Sequence, residues 1–234
     1  MASFRGHLST AAALGAVYGG GAFWLGHLDW GVALLAAGLT TLGGLLPDLD
    51  SDSGVPVREL FGLLAALAPF LLLGRLAARG FSPEQMLAVC AGVYLFIRYG
   101  LAAYFKRLTV HRGMFHSVPA MIIAGLAVYL AYHGPDWLRW YLAGGVMLGF
   151  LSHLVLDELC AVDFSGTRIT LNRFAGSALK LTSRSWTATG FTYLVLLALA
   201  GTAFVQMEPA KREGERRGAQ SPLEPAGLRR TVRP

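Results

Sequence analysis

Apolar residues fall in long unbroken stretches with charged or turn-forming residues between them. Seven such runs stand out: Leu8–Gly26, Trp30–Leu46, Leu60–Gly74, Gln85–Phe105, Val118–Tyr132, Trp140–Leu156 and Trp186–Met207. A bilayer crossing by an α-helix consumes about 20 residues, and most of these runs approach that length. They are continuously apolar rather than alternating, which selects helices over the lipid-facing strands of a barrel. The pattern predicts an all-α fold, a polytopic transmembrane helical bundle of about six to seven helices. The third run is only marginally long enough for a crossing, and a buried or re-entrant helix is the alternative there. Re-entry would split the polar motifs described below between two faces, so a crossing is the favoured reading.

Two segments break the pattern. From Ala161 to Ser185 the chain alternates in Arg168-Ile169-Thr170-Leu171-Asn172-Arg173-Phe174, as a short hairpin or interfacial loop would. Residues 208–234 are rich in Arg, Glu, Pro and Gly and read as a disordered basic tail after a single membrane domain spanning 1–207. Within the runs, Gly15/Gly19 and Gly145/Gly149 stand four residues apart, a spacing that lets helix backbones approach closely in lipid. Trp24, Trp30, Trp137, Trp140 and Trp186 lie near run ends, as in an interfacial aromatic belt.

Composition agrees with this picture. Of 234 residues, 54% are hydrophobic and only 15% charged, with a mean hydropathy of +0.50, too apolar for an ordinary soluble domain. The net charge of +6 is carried between the runs and in the tail, which suits anionic lipid headgroups rather than nucleic acid. Cys90 and Cys160 give no disulfide framework. The N-terminus lacks a clear small-x-small cleavage site after a short core, so its apolar run is read as a mature helix.

Alternate crossings bring four separate segments to one face: His7 before the first helix; Pro47-Asp48-Leu49-Asp50 with Asp52 between the second and third; His111-Arg112-Gly113-Met114-Phe115-His116-Ser117 between the fourth and fifth; and His153 through Asp157-Glu158 at the end of the sixth. Imidazole and carboxylate together are the usual ligands of a catalytic divalent ion, zinc first, with manganese or magnesium tolerating a shell richer in carboxylate. His153 and Asp157 are one helical turn apart and share a face. Pro47 ends an apolar helix and frees the chain to turn carboxylates inward. Each residue also has a plainer reading, His7 as a solvated terminal residue and Asp48, Asp50 and Asp52 as a polar loop with a helix cap. His153 and Asp157 resist it, because ionisable groups near the end of an apolar helix cost several kcal/mol unless partnered, roughly 3 kcal/mol each. Metal ligands are therefore expected at His7, Asp48, Asp50, His111, His116, His153 and Asp157. Asp52 or Glu158 is the expected general base, and Arg112 the group that stabilises developing negative charge. Arg98, inside the fourth run, either snorkels to the headgroups, the favoured reading, or holds an anion within the bundle.

On the pieces His7, Leu46-Pro47-Asp48-Leu49-Asp50, His111-Arg112-Gly113 through His116-Ser117, and Gly149 through His153-Leu154 with Asp157, the sequence resembles the YdjM-like family of bacterial inner-membrane proteins, held to be metal-dependent hydrolases. The likeness spans roughly residues 4 to 185, and Phe115 stands where a small hydroxyl residue is common in its motif. It implies a multi-pass protein of the bacterial inner (cytoplasmic) membrane. The expected function is hydrolysis of an ester or phosphoester, on a lipid-linked substrate, by water activated at one or two metal ions. The competing readings are an ion or proton transporter and a non-catalytic, metal-stabilised membrane scaffold. Transport fits less well, since the motifs lie at helix ends and no internal repeat is evident. Counting arginines and lysines in the loops places the motif face in the cytoplasm, although seven crossings send the basic tail to the other side.

Overall fold

The structure is a computed structural model that describes residues 3–50, 54–103, 116–160, 162–165, 168–171, 181–182 and 185–220; for 49–50, 54–57, 162–165, 168–171 and 208–220 it describes the backbone alone. Among the described residues there are seven α-helices: α1 (Phe4–Trp24), α2 (Trp30–Gly43), α3 (Gly54–Ala78), α4 (Pro83–Leu95), α5 (Val118–Ala131), α6 (Asp136–Leu159) and α7 (Trp186–Gln220). A 3-10 turn, Leu46–Asp50, follows α2, and α4 runs on into a π-helical segment, Phe96–Leu101. Arg58–Ala78, Asp136–Leu159 and Trp186–Met207 are long and apolar enough to span a bilayer; Trp30–Gly43 and Val118–Ala131 are shorter apolar helices. The third run is thus a full-length helix, extended at both ends beyond its apolar stretch. The expected hairpin is present as an antiparallel pair, Val162–Ser165 with Arg168–Leu171.

α2 is the hub, packing against α1, α3 and α6; α6 also packs on α1 and α5, while α4 lies outside α3 and α7 outside α5. The core runs along α2 and α6 through Leu35, Leu39, Leu42, Leu142 and Val146. Contact at the hub is close because glycines face backbone. A methyl group on Gly15 or Gly19 would collide with the carbonyl oxygens of Ala37 and Ala33 in α2, and one on Gly43 with that of Val146 in α6. Such small-residue stripes are the means by which helices associate in lipid, where burial of apolar surface gives no net drive.

Four tryptophans mark one membrane edge. Trp24 ends α1, Trp30 begins α2, and Trp137 and Trp140 lie in the first turn and a half of α6, all on the side opposite the His/Asp motifs; each is exposed. That side has its own polar cluster. Arg139 of α6 is buried, and its guanidinium donates to the Tyr129 carbonyl at 3.0 Å, Asp136 at 3.1 Å and Gln206 of α7 at 2.8 Å, while lying 3.8 Å over the Tyr129 ring. Arg75 of α3 donates to the carbonyls of Ala131 and Leu130. Two cations therefore satisfy the otherwise orphaned carbonyls at the end of α5, where the helix dipole also favours positive charge. α7 keeps its helical backbone to Gln220, so the change in composition at residue 207 falls within an element; Ala, Lys, Arg, Glu and Gln there are good helix formers.

Candidate metal centre

Two four-residue stripes build the centre. On α1 the buried positions are His7, Ala11, Gly15 and Gly19; on α6 they include Gly145, Gly149, His153 and Asp157. Residues four apart stack on one helix face, so the faces that press against α2 carry their histidines to the same end of the bundle. Ser3 caps α1 by accepting from the Gly6 amide at 3.2 Å, which starts the helix just early enough to include His7. α2 stops at Gly43, and the buried Pro47 in the following 3-10 turn brings Asp48 back toward α6. Ser117 accepts from the Ala120 amide at 3.2 Å and begins α5, with His116 immediately before it.

Five sequence-expected ligands converge. The Asp157 carboxylate lies 3.2 Å from His7 Nε2, 3.8 Å from His116 Nε2 and 3.7 Å from His153 Nε2; His153 Nε2 is also 3.7 Å from Asp48 Oδ1. The imidazoles of His7 and His153 stack with centroids 3.7 Å apart, and His116 meets His153 edge-on at 5.4 Å. Two groups, His7/Asp48/His153 and His116/His153/Asp157, each offer three ligand atoms within 4.8 Å of one another. Neighbouring ligand atoms of a tetrahedral ion with bonds of about 2.1 Å stand about 3.4 Å apart. The observed 3.2–3.8 Å separations bracket that value.

His153 is held by a backbone partner. Its Nδ1–H donates to the Gly44 carbonyl at 2.7 Å, which fixes the tautomer and leaves the lone pair on Nε2. That nitrogen is buried without a hydrogen-bond partner, as is His7 Nδ1, and it faces two carboxylate oxygens at distances too long for hydrogen bonds. A lone pair turned toward anionic oxygens is repulsive unless a cation stands among them, so the donor set fits a divalent ion. The close stacking on His7 points the same way, because two imidazolium rings in face-to-face contact would repel. The backbone bond is the outer-shell contact that commonly orients a metal-ligating histidine.

The cluster has a closed side and an open one. The side chains of His7, His153 and Asp157 are 3%, 0% and 8% exposed, whereas Asp48 and His116 are 20% and 21% exposed. Access is therefore over the 3-10 turn and the start of α5.

The sequence model of one family matches this chain over residues 1–214, by far the larger part of it. The chain belongs to the YdjM inner membrane protein family. No curated protein and no solved structure matches it.

Not every expected residue of this YdjM family member is placed at the centre. Asp52, His111 and Arg112 lie outside the described residues, as does the side chain of Asp50. Glu158 is half-buried and belongs to neither ligand group; one residue beyond Asp157, it is rotated by about 100° around the helix. The contribution of Gly44 was not anticipated, because it is made by a backbone oxygen. The signal that does exist is the continuation of the glycine stripes: Gly15 and Gly149 each lead, at intervals of four, into a histidine.

Proposed function

We propose that this protein is a membrane-embedded hydrolase that binds one divalent metal ion through His7, Asp48, His116, His153 and Asp157 and cleaves an ester or phosphoester at the membrane surface. The observation that carries the reading is the buried, unpartnered Nε2 of His153, aimed at two carboxylates by a backbone bond on its other nitrogen. Both ligand groups claim that same nitrogen, and a single lone pair serves a single ion. Zinc suits three imidazoles and two carboxylates best, with manganese as the alternative.

Such an ion supplies Lewis acidity and activates water near neutral pH. The chain does the rest. Gly44 holds the His153 ring, Asp157 braces His7, and the open edge at Asp48 and His116 would give water and substrate access to an ion held there. By sequence, Glu158 and Asp52 are the candidates to take up a proton and Arg112 the candidate cation to meet developing negative charge.

Depth supports a lipid-linked substrate. His153 lies about 24 Å along α6 from Trp137, and His7 about 26 Å along α1 from Trp24, at 1.5 Å per residue. With a hydrocarbon core of about 30 Å, the cluster sits just inside the motif-side edge. The basic residues Arg5, Arg58, Lys106, Arg107 and Arg112, counted along the sequence, favour the cytoplasm for that edge.

Metal analysis of detergent-purified protein tests the site: about one ion per chain is expected in the wild type and little in His153→Ala or Asp157→Ala. Stoichiometric metal that neither substitution disturbs rejects the assignment. Metal-dependent turnover of a phospholipid and lipid-phosphate panel, without metal flux into liposomes, then separates hydrolysis from transport.

A further inference from the structure

The outer helix pair α3/α4 contains a charge that the metal centre does not use. Arg98 lies in the π-helical segment Phe96–Leu101, and among the described residues its one hydrogen bond runs from Nη1 to the Arg58 carbonyl of α3 at 3.1 Å. A guanidinium carries five N–H donors, so most of its capacity is unspent. The carboxylate beside Arg58, Glu59, is engaged by Arg58 at 2.8 Å. Around Arg98 the helix is otherwise lipid-facing: α4 buries no residue, and Phe96 and Tyr99 are exposed. An arginine half-buried in such a place, with no acidic partner among the described residues, calls for an anion from its surroundings.

Two features show where that anion would sit. Arg58 and Glu59 are charged and exposed where the apolar stretch of α3 begins, so the Arg98 guanidinium, bonded to the Arg58 carbonyl, has reached the polar edge on the motif side. Gly62, one turn further along α3, lies against this guanidinium: a methyl group there would stand 3.9 Å from Arg98 Cζ, ordinary contact. Arg98 itself sits in a widened π turn, a form found mostly at functional sites. Ile97 and Leu101 of the same segment pack with Phe61 and Ala102 and anchor it to α3.

We propose that the groove between the start of α3 and the π segment of α4 binds the phosphate of an anionic phospholipid, with Arg98 as its ligand. The planar fork of arginine suits a phosphodiester, and the phosphate layer of the bilayer lies at the required depth. This site is separate from the metal centre and does not depend on it.

Native mass spectrometry of detergent-purified protein with added phosphatidylglycerol tests the assignment. The wild type should retain phosphatidylglycerol over phosphatidylcholine, and Arg98→Gln should lose at least three-quarters of the bound lipid with metal content unchanged. Arg98→Lys, which keeps the charge without the fork, should fall between them, and Arg79→Gln, on the opposite edge, should behave as wild type. Gly62→Leu, whose longer side chain would crowd the Arg98 guanidinium from α3, should reproduce the loss and serves if Arg98→Gln does not fold. Equal phosphatidylglycerol retention in wild type, Arg98→Gln and Gly62→Leu overturns the proposal. So does displacement of the lipid by millimolar inorganic phosphate, which would make the ligand a soluble anion.

Discussion

Gly149→Ala should disable the metal centre without touching a ligand. The added methyl group would overlap the Thr40 carbonyl oxygen and stand 2.9 Å from the Gly44 amide nitrogen. Both obstacles are backbone of α2 and cannot rotate away, so α6 must withdraw; reaching ordinary contact at about 3.5 Å needs a shift of roughly 1 Å or more. His153 lies one turn beyond Gly149 on the same face, and its 2.7 Å bond to Gly44 crosses the same interface. Lengthened by that shift, the bond passes beyond hydrogen-bonding range. Overpacking of this kind costs about 1–3 kcal/mol of stability, and loss of an orienting outer contact typically lowers metal affinity about 10–100-fold. The assay is competition for the ion against a chromophoric chelator, with thermal unfolding in the same detergent. Gly20→Ala is the control, since nothing lies within 4 Å of a methyl group there. A folded Gly149→Ala protein that binds metal as tightly as Gly20→Ala would refute the coupling of helix spacing to the site.

Other expectations concern the scaffold. Arg139→Met strips the Tyr129 carbonyl, Asp136 and Gln206 of a shared donor and should destabilise the protein by about 2 kcal/mol, read as a lowered Tm in detergent. Ser117→Ala removes the cap of α5 at a cost of about 1 kcal/mol, and should also loosen metal binding in chelator competition because His116 precedes that cap. Tyr18 donates to the Tyr141 carbonyl at 2.8 Å and Tyr141 to that of Tyr18 at 2.6 Å. Tyr18→Phe and Tyr141→Phe should each cost about 0.6 kcal/mol in unfolding measurements, with the effects adding because each removes a separate bond.

The meeting of His7, Asp48, His116, His153 and Asp157 was legible from sequence because it depends only on how often the chain crosses, and apolar runs report that directly. Helix limits were less so. The sixth run was read from Trp140, but the helix begins at Asp136, because Asp136 and Arg139 pair with each other and so enter the apolar layer. The second run extends to Leu46, but its helix ends at Gly43, where the chain turns toward Pro47. Arg75 and Arg139 read as interfacial charges, since sequence cannot distinguish a guanidinium facing headgroups from one facing the carbonyls of a neighbouring helix. The orientation of His153 was hidden for a related reason: its partner is the oxygen of Gly44, and every residue has such an oxygen.

The two ends of the bundle solve different problems, and the solutions depend on each other. On the motif side the histidines and carboxylates are mutually strained, with a lone pair facing anionic oxygens at 3.7 Å. Left to itself, such a cluster would relax by sliding or rotating its helices, because association in lipid has no apolar drive to resist that motion. Glycine contacts along α1, α2 and α6 fix how closely the helices approach, but smooth glycine faces do little to fix rotation. Rotation is fixed from the far side, where Arg139 and Arg75 bind the end of α5 from two other helices and, within about two turns of it, the reciprocal tyrosine bonds clasp α1 to α6. An arrangement held in both distance and rotation keeps the ligands apart by the spacing an ion requires before any ion arrives, which is what metal selectivity by geometry demands.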